Sequence, residues 1–233
     1  MYQRILYFLV LLSYVIGMIP VYISTFVSSK ETCRKILKRS FSMLDWIFVR
    51  SEYTELSLLP KKNYIYAINH QCYIDGWLMS SLQHDILVIA IDYLKHIPII
   101  GRIFIYIDTV FKTLKKEFVA EGLTDKVIRK LKEHDSLSLY IYTEGERQLD
   151  NKFNKKLRTG TFHIAKSLNY DIVPIYQNYG NILNDKKQEY YPSYRKKIKT
   201  IVGTPISPEG KSVEKLKDEY IEQMLMLEKT YFS

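Results

Sequence analysis

The feature that most constrains this chain is a long uncharged segment close to its N-terminus. No residue between Arg4 and Lys30 is charged, and residues 5–26 are apolar nearly throughout. As a helix, this stretch of 25 residues reaches roughly 37 Å, more than the ~30 Å hydrocarbon core of a bilayer. A cleaved signal peptide is disfavoured, because its apolar region spans about 7–15 residues and small residues follow it. We therefore predict a transmembrane helix over about residues 5–27.

Two further features bear on how this segment lies in a membrane. Gly17 and Pro20 interrupt it, so a kinked, re-entrant helix in one leaflet is the alternative to a spanning one. Arg4 is the only basic residue before the segment, whereas a cluster of basic residues follows it: Lys30, Arg34, Lys35, Lys38 and Arg39. Because the side richer in Lys and Arg stays in the cytoplasm, we expect residues 51–233 to form a cytosolic domain.

A basic amphipathic helix is predicted directly after the apolar segment, over about residues 33–49. Apolar residues recur there at helical spacing, and the basic residues fall mainly on the other side. The apolar stripe consists of Cys33, Ile36, Leu37, Phe41, Leu44, Ile47 and Phe48. Such a helix can lie in the headgroup layer, and its position favours that role over a core helix. Residues 1–50 are therefore predicted to anchor the protein in a membrane.

The remainder of the chain alternates strand-like and helix-like segments. Short β-branched and aromatic runs predict strands at residues 64–68, 85–91, 137–142, 171–176 and 197–203. The segments between them predict helices at residues 75–83, 124–133 and 161–168, with Thr124 as an N-cap, and a last helix from about Ser212. The last helix carries an apolar stripe that we expect to pack on the sheet. The pattern is that of an α/β domain with a largely buried sheet.

Composition excludes several classes of protein. Two cysteines without spaced Cys/His pairs provide neither a disulfide framework nor a structural zinc site, and they suit a reducing compartment. A net charge of +9 favours an anionic partner: nucleic acid, an anionic membrane or phosphorylated small molecules. The sequence has no Gly-rich phosphate loop, and its histidines lack metal-ligand spacing. We therefore expect no metal site and no cofactor.

Residues 69–77 are the first candidate for chemistry, because they follow a predicted buried strand and precede a predicted helix. If Asp75 turns back onto His70, it fixes the imidazole tautomer and makes His70 a candidate general base. The alternative, which the spacing alone favours, has Asp75 as a helix cap and His70 as a loop histidine. Cys72 is expected to pack in the interior, since residues two apart seldom bring a thiol within reach of the imidazole.

Residues 142–147 are the second candidate and end another predicted strand. Gly145 permits a tight turn, and Arg147 offers a planar fork suited to a phosphate. Glu144 suits a role in orienting that arginine or accepting from a backbone amide. A surface turn with a solvated ion pair is the alternative. The nearby basic run at residues 152–158 is interpreted as a solvated face.

Taken together and in order, these segments resemble the glycerophospholipid acyltransferases, above all the 1-acylglycerol-3-phosphate (lysophosphatidic acid) acyltransferases. Asn69–Asp75, NHQCYID, is similar to their signature of a His, four residues and an Asp. Tyr142–Arg147 resembles their Glu-Gly-Thr-Arg block, and Ile172–Ile175 their late Val-Pro segment. Residues 94–101 and 158–165 are similar to two further stretches of the family. The resemblance covers about residues 60–205.

The resemblance implies a mixed sheet flanked by helices and a membrane-bound O-acyltransferase. The implied reaction moves a fatty acyl group from acyl-CoA, a co-substrate, to the sn-2 hydroxyl of lysophosphatidate. It implies that His70 and Asp75 are catalytic and that Glu144, Gly145 and Arg147 bind substrate. The expected partners are acyl-CoA, a lysophospholipid acceptor and a lipid bilayer, without nucleic acid. The expected location is the endoplasmic reticulum membrane, with the catalytic domain facing the cytosol.

Two departures from the family pattern leave the acceptor headgroup open. Glu146 stands where the family usually has Thr, and the basic residue of the second block has three candidates without a clear register: Lys112, Lys115 and Lys116. Another lysophospholipid, such as lysophosphatidylinositol or lysocardiolipin, is therefore the alternative acceptor. A thioesterase using Cys72 with His70 and a non-catalytic lipid or nucleic-acid binder are alternatives from other classes.

Overall fold

The computed structural model describes residues 2–53, 59–82, 85–113, 122–134, 136–148, 152–184, 186–191 and 198–233. Its strands are β1 (Ser51–Tyr53), β2 (Tyr64–Ile68), β3 (Asp85–Ile91), β4 (Val110–Lys112), β5 (Leu137–Tyr142), β6 (Asp171–Tyr176), β7 (Leu183–Asn184), β8 (Glu189–Tyr190) and β9 (Ile198–Val202). Its α-helices are α1 (Tyr2–Gly17), α2 (Ile19–Val27), α3 (Lys30–Phe48), α4 (Ile100–Tyr106), α5 (Leu123–Glu133), α6 (Gly160–Leu168) and α7 (Val213–Phe232). Residues Asp75–Ser81 form a 3₁₀ helix.

Within these ranges, a mixed sheet joins seven strands in the order β1-β9-β6-β2-β5-β3-β4. Strands β6, β2, β5, β3 and β4 run parallel to one another, whereas β9 is antiparallel to β6 and parallel to β1. Helices cover both faces of the sheet: α1–α3 and the 3₁₀ helix share a core with one face, and α5, α6 and α7 share a core with the other. The predicted α/β class with a buried sheet is confirmed.

Most predicted elements agree with the structure. The predicted strands at 64–68, 85–91, 137–142 and 171–176 are β2, β3, β5 and β6, and β9 lies within the predicted 197–203, of which Lys197 is outside the described residues. The predicted cap at Thr124 is wrong, because the N-cap of α5 is Gly122. Helical backbone begins at Leu123, and the amide of Lys126 already donates to Gly122 O at 3.1 Å. Thr124 therefore lies inside the helix.

The apolar N-terminal segment forms α1 and α2, which are interrupted at Met18. By length and composition, Tyr2–Val27 could cross a membrane. One side of this segment packs on the protein: Tyr7, Val10, Met18 and Val21 are buried. Its opposite side exposes a row of large apolar side chains, namely Ile5, Phe8, Leu9, Leu12, Ile16, Ile19, Ile23 and Phe26. The segment thus has one side packed on the protein and one exposed apolar side, with Arg4 as its one charged residue.

The structure differs from the sequence-based expectation for α3. The predicted helix is present, but buried members of its stripe, Cys33, Leu37, Phe41 and Leu44, belong to the protein core rather than to a headgroup layer. Two of its basic residues are also drawn inward. Arg34 donates to the carbonyl of Ile107 at 3.1 Å, and Lys38 donates to that of Leu82 at 3.1 Å. These carbonyl partners compensate for the loss of water at both cations.

A strained turn precedes α4 in the segment that resembles a family block. Ile99 has φ 68° and ψ −63°, and the amide of Ile100 donates to Pro98 O at 2.8 Å, which together define a γ-turn. This turn is strained for a β-branched residue. Gly101 follows it with its Cα against the preceding backbone, so an added Cβ would lie 2.1 Å from Lys95 O. The close approach requires glycine at position 101.

We expect Gly101→Ala to destabilise the fold by about 2 kcal/mol or more, because the obstructing atom is backbone and cannot rotate away. The measurement is urea unfolding of the detergent-solubilised protein. Gly122→Ala is the matched control, because an added Cβ there would meet only the Asp125 carboxylate, the end of a flexible side chain. Equal stability of the two variants would contradict this account of the turn.

Candidate active site

The two candidate loops meet because β2 and β5 are parallel neighbours. Ile68 pairs with Tyr142 at the carboxyl ends of these strands, so residues 69–75 and 143–148 emerge at the same edge of the sheet. Two backbone hydrogen bonds then join the loops. The amide of Thr143 donates to Ile68 O at 3.4 Å, and that of Gln148 donates to His70 O at 2.7 Å. The parallel pairing of β2 and β5 thus brings together two loops that are more than 60 residues apart in the sequence.

Asp75 and His70 form a hydrogen-bonded pair. His70 Nδ1 lies 3.0 Å from Asp75 Oδ2, and the carboxyl group is fully buried. The amides of Gln71 and Cys72 donate to the same oxygen at 2.5 and 3.1 Å, and the Cys72 thiol donates to Oδ1 at 3.0 Å. An ionised carboxylate only accepts hydrogen bonds, and these donors compensate its burial.

This arrangement assigns the tautomer of His70. Since the carboxylate accepts, the imidazole proton belongs on Nδ1, which leaves the lone pair of Nε2 free to take a proton from another group. The His70 side chain keeps 22% of its surface exposed, whereas Asp75 has none. His70 is therefore accessible to solvent, whereas Asp75 is buried and contacts the imidazole only at its inner nitrogen, Nδ1. The geometry is that of a general base with its orienting acid.

Two tyrosines of β5, Tyr140 and Tyr142, contact the His70–Asp75 pair. The ring of Tyr142 stacks on the imidazole of His70, with 3.9 Å between centroids and 15° between planes. The hydroxyl of Tyr140 donates to the backbone carbonyl of Asp75 at 2.9 Å. Burial, with the neighbouring Tyr140 and Asp75, raises the pKa of the Tyr142 phenol well above its ordinary value. Tyr142 therefore stays neutral and holds the imidazole plane without competing as a base.

Glu144 joins its own loop to two other segments through hydrogen bonds to their backbone. Its Oε2 accepts from the amide of His70 at 3.2 Å, and its Oε1 accepts from the amide of Asn154 at 3.1 Å. The side chain is buried, with 4% of its surface exposed. These contacts show that Glu144 fixes the backbone on both sides of its loop.

Gly145 and Arg147 complete the second loop. Gly145 has φ +74°, a left-handed conformation that favours glycine. The guanidinium of Arg147 lies 3.9 Å from the ring centroid of Tyr73, and its Nη2 donates to the Tyr73 hydroxyl at 3.2 Å. Tyr73 belongs to the His70 loop and is 57% exposed. The contact therefore holds a cation beside the dyad at the protein surface.

A third strand end is tied to the same edge. The side-chain amide of Asn69 donates to Gln177 O at 2.8 Å, and the amide of Gln177 donates to Asn69 Oδ1 at 2.9 Å. Gln177 directly follows β6, the other parallel neighbour of β2. Asn69 is thus a structural residue that joins two strand ends next to His70.

The structure brings together all five predicted site residues: His70, Asp75, Glu144, Gly145 and Arg147. Sequence reasoning missed Tyr73, Tyr140 and Tyr142, because an aromatic residue in a strand or loop carries no signal of its partner. It also missed the thiol–carboxylate contact of Cys72, which is fully buried as expected. Lys115 and Lys116 lie outside the described residues. Within the described ranges, no three His, Cys, Asp or Glu side chains form a group that could hold a metal ion.

The fold and the paired loops are compatible with an enzyme that uses a general base, and comparison with known proteins identifies the class. The family model described as Acyltransferase matches residues 47–178, which include both loops and more than half of the chain. The chain belongs to the acyltransferase family. The resemblance drawn from the ordered motifs is thereby confirmed at the level of the family.

Two individual proteins are similar to this chain. An uncharacterized acyltransferase from Schizosaccharomyces pombe is 28% identical over 164 residues, which cover 69% of this chain and 57% of the relative. The chain thus spans less than two thirds of that relative. The crystal structure of PlsC, the 1-acyl-sn-glycerophosphate acyltransferase from Thermotoga maritima, matches with a TM-score of 0.75 at 20% identity, covering 98% of this chain and 95% of that chain. This second likeness confirms the mixed sheet flanked by helices.

We expect Cys72→Ser to retain near-wild-type acyl transfer and Cys72→Ala to retain it within about tenfold, because one of several donors to Asp75 is lost. The measurement is acceptor-dependent release of free thiol from an acyl thioester. A thiol nucleophile would behave differently, since replacing it by alanine would abolish turnover. Complete loss of activity in Cys72→Ala, with an unchanged unfolding midpoint, would contradict the positioning role of the thiol.

Proposed function

We propose that this acyltransferase is membrane-bound and esterifies the sn-2 hydroxyl of lysophosphatidate with an acyl group from acyl-CoA. The observation that carries the proposal is the His70–Asp75 pair at an edge of the sheet that also presents Arg147. A base and a phosphate-binding cation are the two groups that acylation of a lysophospholipid hydroxyl needs. The known activity of the structurally similar PlsC supports the same acceptor.

The chemical step follows from the assigned tautomer. The sn-2 hydroxyl oxygen attacks the thioester carbonyl carbon while Nε2 of His70 takes the hydroxyl proton. The imidazolium that forms is stabilised by the buried carboxylate of Asp75. The tetrahedral intermediate then collapses, the carbon–sulfur bond breaks, and the proton on Nε2 passes to the leaving thiolate. The products are the ester and free CoA, and no covalent enzyme intermediate is needed.

Arg147 is proposed to bind the acceptor phosphate. A guanidinium offers paired donors to phosphate oxygens, and stacking on Tyr73 restricts its orientation before the substrate arrives. Gly145 supplies the turn that brings Arg147 to the edge of the sheet, and Glu144 fixes this turn relative to His70. Substrate binding by these three residues thus depends on one loop.

The exposed apolar row of α1 and α2 supports membrane attachment. A large contiguous apolar surface is costly in water and stable against acyl chains. The packing of Tyr7, Val10 and Val21 on the protein favours a helix pair lying in one leaflet, whereas length and composition also permit a spanning helix. The basic residues that begin α3 support a cytosolic orientation of the sheet, with the endoplasmic reticulum as the proposed membrane.

A second candidate acceptor is a lysophospholipid with a larger headgroup, such as lysophosphatidylinositol or lysocardiolipin. Glu146 favours this second candidate. Its exposed carboxylate is next to Arg147 in the sequence, where it disfavours the second negative charge of a phosphomonoester. A phosphodiester carries one charge fewer. The two candidates share the same chemistry at His70 and differ only in the headgroup.

We expect the detergent-purified protein to release free thiol from oleoyl-CoA only when a lysophospholipid is present. His70→Ala should lower this rate by at least about 10²-fold, because general-base catalysis contributes about 10²–10⁴-fold. The best acceptor in a panel of lysophosphatidate, lysophosphatidylinositol and lysocardiolipin decides between the two candidates. His163→Ala is the matched control for loss of a histidine outside the site.

Thiol release without any acceptor would instead indicate a thioesterase. Release that persists in His70→Ala would remove His70 from the mechanism. An absence of release with every acceptor would contradict the proposed function.

We expect replacement of Phe8, Leu12 and Ile16 by serine to weaken binding to phosphatidylcholine vesicles at least about 100-fold, since each loses about 1.5–3 kcal/mol of apolar contact. The measurement is vesicle flotation of the full chain after dilution from detergent. The control replaces Met226 and Phe232, which are exposed to a similar degree on α7. Equal loss of binding in both variants, or none in the first, would contradict attachment through α1.

A further inference from the structure

The C-terminal helix α7 carries polar side chains that are linked to the second loop of the site and that the proposed mechanism does not use. The apolar stripe of this helix packs in the core on one face of the sheet and consists of Leu216, Tyr220, Met224 and Leu227. Tyr220 and Glu228 lie about two turns apart on α7, and each forms a hydrogen bond at or near the loop. The helix is therefore joined to the site by polar contacts as well as by apolar packing.

Tyr220 contacts the residue that begins the second loop. Its hydroxyl shares a hydrogen bond with the hydroxyl of Thr143, with 2.9 Å between the two oxygens. The backbone of Thr143 is held as well, because its amide donates to Ile68 O at 3.4 Å and its carbonyl accepts from the amide of Arg158 at 3.2 Å. Both hydroxyl side chains are buried, so water cannot readily replace a lost partner.

Glu228 binds the segment at residues 152–158, which returns to the second loop. Its Oε1 accepts from the amide of Phe153 at 2.9 Å, and the hydroxyl of Tyr176 donates to the same oxygen at 3.4 Å. The amide of the next residue, Asn154, donates to Glu144 Oε1 at 3.1 Å. Carboxylates from two different elements therefore hold consecutive amides of one segment.

Glu144 continues this link to His70. Its other oxygen, Oε2, accepts from the amide of His70 at 3.2 Å, so one carboxylate joins Asn154 to the His70 loop. Hydrogen bonds to a charged acceptor are stronger than those between neutral groups. A shift of residues 153 and 154 would therefore change the position of Glu144 and, through it, the position of His70.

We propose that Tyr220 and Glu228 are positioning residues of the acyl-transfer site, which hold the second loop where Glu144 can fix the backbone of His70. Tyr220 acts at the start of the loop, and Glu228 acts through the segment that Glu144 also holds. Neither residue transfers a proton or contacts a substrate. A general base must lie within about 2.6–3.2 Å of the group that it deprotonates, so a small displacement of His70 lowers the rate of the chemical step. The inference rests on the proposed function, in which His70 is the base.

The first test measures kcat of the full chain in detergent, with oleoyl-CoA and the best lysophospholipid acceptor at saturation. We expect Tyr220→Phe and Glu228→Ala each to lower kcat about tenfold, because each removes one hydrogen bond that holds the loop. Glu228→Gln should restore most of the rate, since its side-chain carbonyl can still accept from the amide of Phe153. The apolar stripe of α7 stays in place in all three variants.

Two control variants remove similar groups away from the loop. Tyr170→Phe loses the hydroxyl that accepts from Asn63 Nδ2 at 3.0 Å, directly before the amino end of β6. Glu222→Ala removes an exposed glutamate of α7. Both should keep the kcat of wild type. Thermal unfolding of each variant separates loss of positioning from loss of fold, and Glu228→Ala serves if Tyr220→Phe does not fold.

A double-mutant cycle tests the route through Glu144. If Glu228 acts through Glu144, the loss of kcat in the double variant Glu228→Ala/Glu144→Ala should be smaller than the product of the two single losses. Losses that multiply would overturn the proposed route. The positioning role itself would be overturned by wild-type kcat in both Tyr220→Phe and Glu228→Ala, or by a kcat of Glu228→Gln as low as that of Glu228→Ala.

Amide hydrogen exchange distinguishes failure of this proposal from failure of the proposed function. If wild type transfers no acyl group to any acceptor, exchange in peptides that cover residues 69–75 and 152–158 still reports how firmly these segments are held. Exchange about tenfold faster in Glu228→Ala than in wild type and in Glu222→Ala supports the positioning role. Equal exchange in all three proteins contradicts it.

Discussion

The buried carboxylate of Asp75 is the constraint on which the rest of the site depends. A charge without contact to solvent is tolerated only when donors surround it, and the amides of Gln71 and Cys72 provide two of them. To offer these amides, the chain must curl around the carboxylate directly after β2. This turn of the chain brings Nδ1 of His70 into contact with the same oxygen and leaves Nε2 of the imidazole without contact to the carboxylate. The loop shape and the tautomer thus have one electrostatic cause.

Parallel strand pairing extends this local arrangement into a site. Because β5 and β6 both flank β2, their carboxyl ends deliver Glu144 and Gln177 to the two sides of the His70 loop. Buried hydrogen bonds of this kind are costly to leave unpaired, so they hold the loops in one relative position. Arg158 packs against Gly145 in the same turn, and Arg147, two residues further along, stacks on Tyr73 of the His70 loop. A single glycine therefore serves the turn and the placement of a neighbouring charge.

The N-terminal helices pack directly on the element that carries the site. Trp77 belongs to the 3₁₀ helix that Asp75 begins, and its fully buried ring lies near Tyr14 of α1 and Phe48 of α3, with centroid separations of 6.5 and 6.2 Å. Close-packed interiors transmit displacement, since large side chains have little room to move. The exposed apolar row of α1 lies on the other side of this packing. The packing around Trp77 therefore couples the position of α1 to that of the 3₁₀ helix that Asp75 begins.

The sequence by itself determined the α/β class, the main strands and helices, the apolar N-terminal segment, the two loops that carry the predicted site residues, and the family. These properties depend on local patterns: side-chain period, turn residues and the order of short motifs. The tertiary structure alone decided that the stripe of α3 faces the core, that Tyr142 stacks on His70 and that Arg158 meets Gly145. The physical reason is that such contacts follow from strand order and register, which long-range pairing sets and which no local pattern in the chain encodes.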